Sequence, residues 1–317
     1  MFRLCRASCA IEHCVSANGI LAPLILMPAS LDCMQCFLRQ SLEAARFATE
    51  DENIHVSIFK QTLDIIREKG FSTIPPLLAQ EIHRAIRKET GNPDPYSVQK
   101  REANNFMLTI QDSLRERIRQ SDDPLPFAVK IAIAGNSIDY AIRGDWDKES
   151  LLQTIESAIQ QPINGSIDRF VEAMKGAKQI LYLLDNSGEI VCDQLLIEEI
   201  KRFHPDVVVA AVVRGSPVLN DVTLDDALLT GLDQIVPVID NGNDAIGTIL
   251  EQCSAGFMEA FAQSDTIIAK GLANYETLVE YDAKQLPQTV CYLFRAKCHF
   301  IAKYSGAAIN DIVVRVN

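Results

Sequence analysis

Gln179–Asp193, QILYLLDNSGEIVCD, is the stretch whose reading decides the fold. Ile180, Leu181, Tyr182, Leu183 and Leu184 form an apolar run with the length and texture of a strand buried on both faces. The run ends abruptly in Asp185, Asn186 and Ser187, Gly188 lets the chain turn, and Glu189 to Lys201 reads as a helix. In an open α/β sheet such a strand-to-helix corner is where ligands bind, and an Asp beside an Asn offers hard oxygen donors to a divalent cation. Asp-Asn-Ser-Gly is equally good chemistry for a plain turn. Taken alone, the stretch leaves turn and site both open.

Downstream the same texture repeats. Asp206 to Val213 reads as a second buried strand ending in Arg214, with Asp221 shortly after. Gln234 to Ile239 is expected as a third, ending in Asp240, and Thr266 to Ala269 as a fourth, ending in Lys270. Gln288 to Phe294 and Asp311 to Val316 complete the set, with no internal repeat. Strands alternating with helices imply a mostly parallel sheet covered on both faces. If the strands are parallel, their carboxyl ends share an edge, and Asp185, Asn186, Arg214, Asp221, Asp240 and Lys270 reach one crevice. Carboxylates with an amide suit Mg²⁺ or Mn²⁺, and Arg214 and Lys270 suit a phosphate, although either cation is also ordinary at a solvated loop end. The economical mechanism for such a set is a metal-activated water attacking a polarised phosphorus.

Upstream, residues 1–26 carry three cysteines and no clean periodicity, and Glu12, His13, Asn18 and Pro23 interrupt any secretory apolar core. They are expected to be a disordered leader, with Met27 as the working start. Residues 27–125 read as an all-helical domain: helices from Ser30 or Asp32, from Asn53 to Lys69, from Leu77 to Thr90 and from Ser97 to Gln120. Residues 126–317 are then expected to form an α/β metal-binding domain, the one that would carry any catalysis. At its start Gly135 and Asn136 interrupt a helix, and Asp139 follows three residues on. The pair falls on one face if the helix continues, yet polar residues at such a break also serve as caps.

Charge and cysteine usage narrow the partners. Thirty Lys and Arg against 42 Asp and Glu leave a net charge of −12, with no basic cluster to hold nucleic acid. No apolar run approaches the roughly 20 residues that span a bilayer. Nine cysteines in 317 residues, an odd number in a long chain, fit free thiols in a reducing, cytoplasmic setting.

Four segments together carry a resemblance. Leu184-Asp185-Asn186-Ser187-Gly188-Glu189, the run from Arg214 through Pro217 to Asn220, Asp221 and Thr223, Lys270-Gly271 with Asn274-Tyr275-Glu276, and Gly135-Asn136 with Asp139 resemble the damage-control phosphatase family. These are metal-dependent sugar-phosphate and metabolite phosphatases. The resemblance runs from about residue 27 to the end and implies a three-layer α/β/α domain carrying an amino-terminal helical domain. It implies that Asp185, Asn186 and Asp221 bind Mn²⁺, Co²⁺, Ni²⁺ or Mg²⁺. It also places Lys270 on the phosphate, with Asn136, Asp139 and Asn274 shaping the pocket and Glu189 and Arg214 in less defined roles there. The implied substrate is a small phosphorylated or damaged metabolite, with no nucleic acid and no membrane as partner.

Cys33-Met34-Gln35-Cys36 and Lys297-Cys298 match features of the microbial branch of that family. Cysteines three apart on a helix face one way, and Cys298 could complete a soft-metal or redox site. Two thiols packed in a helix interface explain the pair as well. Two other functions compete. A carboxyl methyltransferase using S-adenosylmethionine shares the sheet class, but its first loop needs more glycines than Gly188. A non-catalytic metal or nucleotide sensor is the other. A haloacid-dehalogenase phosphatase is excluded because Ser187 stands where a second Asp is required.

Overall fold

The computed structural model describes residues 27–136, 148–281 and 286–317. Helices α1 (Leu31–Ala48), α2 (Glu52–Lys69), α3 (Pro75–Thr90), α4 (Ser97–Gln120), α5 (Pro124–Gly135) and α6 (Lys148–Gln160) come first. Strands and helices then alternate: β1 (Ile163–Gly165), α7 (Ile167–Gly176), β2 (Gln179–Leu183), α8 (Glu189–Phe203), β3 (Val208–Val213), α9 (Leu224–Thr230) and β4 (Val238–Asp240). After them come α10 (Ala255–Gln263), β5 (Thr266–Lys270), α11 (Gly271–Leu278), β6 (Thr289–Arg295), α12 (His299–Ser305) and β7 (Ile312–Val316).

Helix starts follow local chemistry. Ser30 caps α1, and its backbone N–H donates to Cys33 Sγ at 3.4 Å. Asp51 caps α2 by accepting from the Asn53 N–H at 2.8 Å. The helix expected from Leu77 starts two residues earlier, because Pro75 and Pro76 form the first turn of α3, where no N–H is needed. The third strand is shorter and later than expected. Leu232–Gln234 winds as a 3-10 turn after Gly231, so only Val238–Asp240 pairs with β3.

The sheet order is β1-β7-β6-β5-β2-β3-β4, parallel throughout except where β7 meets β6. Successive residues alternate between its faces. Ile180, Tyr182, Ala211, Val213, Ile268 and Leu293 enter one core with α4, α5 and α8, whereas Leu181, Leu183, Val212, Ile267, Ala269 and Phe294 enter another with α10, α11 and α12. The result is the expected α/β/α sandwich. From β2 the chain builds β3 and β4 to one side, then crosses back to start β5 on the other. The carboxyl ends of β2 and β5 therefore flank the topological switch point, where crevices form.

Helices α1 to α3 have a core of their own around Phe37, Ile58, Leu78, Ile82 and Tyr96. By contrast, Phe106, Met107, Leu114 and Ile118 of α4 join the sheet-side core. Arg84 and Arg87 of α3 both pair with Asp244, to which Gln80 also donates at 2.9 Å, and this clasp ties the helical part to the loop after β4.

Candidate active site

Asp185 and Asn186 extend β2 past its last paired residue, and the segment after β3 folds back onto them. The Val222 N–H donates to Asp185 O and the Ser187 N–H to Asn220 O, both at 2.9 Å, so Asn186 and Asp221 bridge as antiparallel neighbours. The Arg214 N–H donates to Val222 O at 2.8 Å, which stitches the same segment to the end of β3. Asp221 is thus delivered by a loop laid between two strand ends. Asn104 of α4 fixes the corner from outside: its Oδ1 accepts the Gly188 N–H at 2.6 Å, and its Nδ2 donates to Asp226.

Glycine is required at 271. Its φ is +74°, and a Cβ there would lie 1.8 Å from Asp185 Oδ2, so the Asp185 carboxylate rests directly on the start of α11.

Two charged groups organise the buried floor. Arg214 Nε donates to Asp221 Oδ2 at 2.6 Å, with Nη2 3.7 Å from Asp185 Oδ1. Lys270 Nζ lies 2.6 Å from Glu189 Oε1 and 2.7 Å from Asp193 Oδ1, and also donates to the Ala132 carbonyl at 3.0 Å. Tyr182 Oη donates to Asp193 Oδ1 at 2.7 Å. Burial pulls the Lys270 ammonium down, but Asp193 and Glu189 outweigh it and hold it above its ordinary value. Burial drives Asp193 the other way, up to about 7, against the pull of Lys270. Within the six charged side chains, four carboxylates face two cations. The cluster carries a formal excess of two negative charges, the charge one divalent cation offsets.

Asp185, Asn186, Asp221 and Asn136 line a cavity of about 720 Å³. Its walls come from α1, through Cys33, Cys36, Arg39 and Glu43, and from α11 and the loop after β6, through Glu276, Lys297 and Cys298. Burial pushes the Glu276 carboxyl up to about 8. Among the described residues, no three His, Cys, Asp or Glu side chains cluster as a metal site, so a cation here depends on amide oxygens beside Asp185 and Asp221. Hard divalent cations accept such a mixed set.

Other expected site residues lie elsewhere. Lys270, Glu189, Arg214 and Asn274 stand behind the cavity wall: Lys270 and Asn274 are fully buried, and Arg214 is 2% exposed. Asn274 Nδ2 donates to Leu184 O at 3.1 Å and Lys270 O at 2.8 Å, while its Oδ1 accepts from Thr248, so it ties the ends of β2 and β5 together. Asp240 turns into its own loop, accepting the Gly242 N–H at 2.8 Å, and leaves the crevice. Asp139 falls outside the described residues. Cys33, Cys36 and Cys298 share the cavity wall as free thiols, and burial raises Cys33 and Cys298. Sequence reading did not assign Asp193, Asn104 or Tyr182 to the site, Tyr182 being read only as a strand residue; for Asp193 the available signal was its place one helical turn beyond Glu189.

Residues 29–313 match the family model of the damage-control phosphatase ARMT1-like domain. The chain belongs to that family. It is 38% identical to an uncharacterised protein of Methanocaldococcus jannaschii over 89% of this chain and 93% of the relative. It is 33% identical to a damage-control phosphatase of Archaeoglobus fulgidus, over 90% and 97%. A damage-control phosphatase of Pyrococcus horikoshii is 31% identical, over 87% and 94%. The crystal structure of a DUF89 family protein from Pyrococcus horikoshii superposes with a TM-score of 0.81 at 28% identity, covering 90% of this chain and 98% of that one.

Proposed function

We propose that this chain is a phosphatase that uses a divalent cation to hydrolyse phosphate esters of small metabolites, sugar phosphates and damaged phospho-metabolites among them. The observation that carries this reading is the convergence of Asp185, Asn186 and Asp221 on the floor of a metabolite-sized cavity at the switch point of the sheet. Two relatives named as damage-control phosphatases support it. Asp185, Asn186 and Asp221 would hold Mn²⁺, Co²⁺, Ni²⁺ or Mg²⁺. When bound, such an ion supplies Lewis-acid polarisation of a phosphoryl oxygen and acidifies water.

The protein's own groups divide the remaining work. Arg214 pairs with Asp221 and lies close to Asp185, which holds the two carboxylates in place. Lys270 fixes Glu189 and acts from behind the floor, while Arg39 and Lys297 supply positive charge on the cavity wall for an anionic ester. Glu276 carries a proton at neutral pH and offers it to hydroxyl or ester oxygens of the organic part. The free thiols of the described cysteines suit a cytoplasmic setting, and among the described residues no helix is long and apolar enough to cross a membrane.

The test is turnover of p-nitrophenyl phosphate and fructose 1-phosphate with Mn²⁺, Co²⁺, Ni²⁺, Mg²⁺ or EDTA. Metal-dependent release of phosphate that disappears in Asp185→Ala and Asp221→Ala supports the assignment. Full activity in EDTA, or in either variant, overturns it.

A further inference from the structure

The Asn136 amide has an unexplained half. Its nitrogen is fully occupied, donating to Glu189 Oε2 at 2.6 Å and to Asp185 Oδ2 at 3.2 Å. Its carbonyl oxygen is buried and has no hydrogen-bond partner among the described residues, in a side chain only 1% exposed that lines the cavity. A buried acceptor left unpaired costs about 1 to 3 kcal/mol, so one facing a cavity points to a ligand.

Asn186 repeats the arrangement. Its Nδ2 donates to the same two atoms, Asp185 Oδ2 at 2.8 Å and Glu189 Oε2 at 3.2 Å. Both amides are therefore drawn by their nitrogens toward one pair of carboxylate oxygens, which turns both carbonyl oxygens the other way. Glu189 can do this because Lys270 holds its second oxygen at 2.6 Å. An Asp at 136 could not donate to Asp185 and Glu189, which accounts for a neutral amide there.

We propose that the Asn136 carbonyl oxygen is a further ligand of the divalent cation, aimed by Glu189 acting as a positioning residue on both amides. The assignment rests on the metal-dependent reading of Asp185, Asn186 and Asp221. It moves Asn136 from the substrate side of the site to the metal side, giving two carboxylates and two amide oxygens and leaving the other positions for water and substrate.

The experiment uses the full chain with Mn²⁺ as probe, read by isothermal titration and by anomalous scattering from Mn²⁺-soaked crystals. In the crystal, Asn136 Oδ1 is expected at about 2 Å from the ion. In solution, Asn136→Ala weakens Mn²⁺ binding by about 10- to 100-fold. Glu189→Gln, which presents a donor where both amides need an acceptor, weakens it comparably and changes the electron paramagnetic resonance spectrum of bound Mn²⁺. Bound Mn²⁺ with Asn136 Oδ1 beyond about 3 Å overturns the ligand role, whether or not the variants fold. A folded Asn136→Ala protein that binds Mn²⁺ within twofold of the parent does the same. An unchanged spectrum and affinity in Glu189→Gln overturn the positioning role. Parent protein that takes up no Mn²⁺ at Asp185 and Asp221 removes the proposed function and this assignment together.

Discussion

Lys270 Nζ and Glu189 Oε1 lie 2.6 Å apart, and the two side chains are 0% and 1% exposed. A pair so deeply buried is costly to break, because removing one member strands the other in a low dielectric. Lys270→Met leaves Glu189 and Asp193 both uncompensated. Urea denaturation is expected to show a loss of about 3 to 5 kcal/mol, with phosphatase activity lost even where the variant still folds. A Lys270→Met protein as stable as the parent would show that these carboxylates are neutral in the fold.

Metal removal follows from the excess negative charge of the floor. A divalent cation at about 100 times its dissociation constant stabilises the parent by about 2.7 kcal/mol, so EDTA lowers the melting temperature. Asp185→Ala and Asp221→Ala lose this response. Calorimetry with and without Mn²⁺ checks it, and an equal rise in melting temperature in both variants would place the ion elsewhere.

Gly271→Ala tests the contact between α11 and Asp185. The added methyl group collides with the carboxylate, at a backbone φ of +74° that an L residue adopts reluctantly. We expect turnover to fall at least about 100-fold through displacement of Asp185, in line with the sensitivity of catalysis to shifts near 1 Å. Steady-state kinetics at saturating Mn²⁺ gives the answer; near-parent turnover would mean that Asp185 need not stay where it rests.

Glu276 sets a pH dependence. Burial raises its carboxyl from 4.5 to about 8. Between those values the folded chain keeps a proton that the unfolded chain has released, so stability falls as pH climbs through the window and the loss is complete above about 8. Glu276→Gln mimics the protonated form. It is expected to exceed the parent by about 1 to 2 kcal/mol at pH 9 and to match it near pH 4, after allowance for solvent screening of a half-buried group. Chemical denaturation across that range measures the gap, and a gap that stays constant with pH assigns it to packing.

The strand before Asp185 was legible because a sheet interior demands apolar residues on both faces, a pattern no exposed strand shows. The same pattern placed the third strand too early, because Gly231 starts a tight turn over Leu232 to Gln234 and only Val238 to Asp240 pairs with β3. Periodicity also could not place Asn104 or Asp193. A helix pattern names the buried face but not the group 84 residues away that it meets, and Asn104 reaching Gly188 is such a contact. Lys270 shows the reverse case. Its position at a strand end was readable, whereas its pairing with Glu189 and Asp193 depends on α8 packing beneath it.

Floor and roof of the cavity rest on different hydrophobic cores, the roof helix α1 packing in one core with α3, which the Asp244 clasp ties to the loop after β4. Exchanges at Arg39, Gln40 or Glu43 on the cavity wall therefore need not disturb Asp185, Asn186 and Asp221. On the proposed reading, a change of ester would be a matter of redecorating a ceiling while the hearth stays as it was.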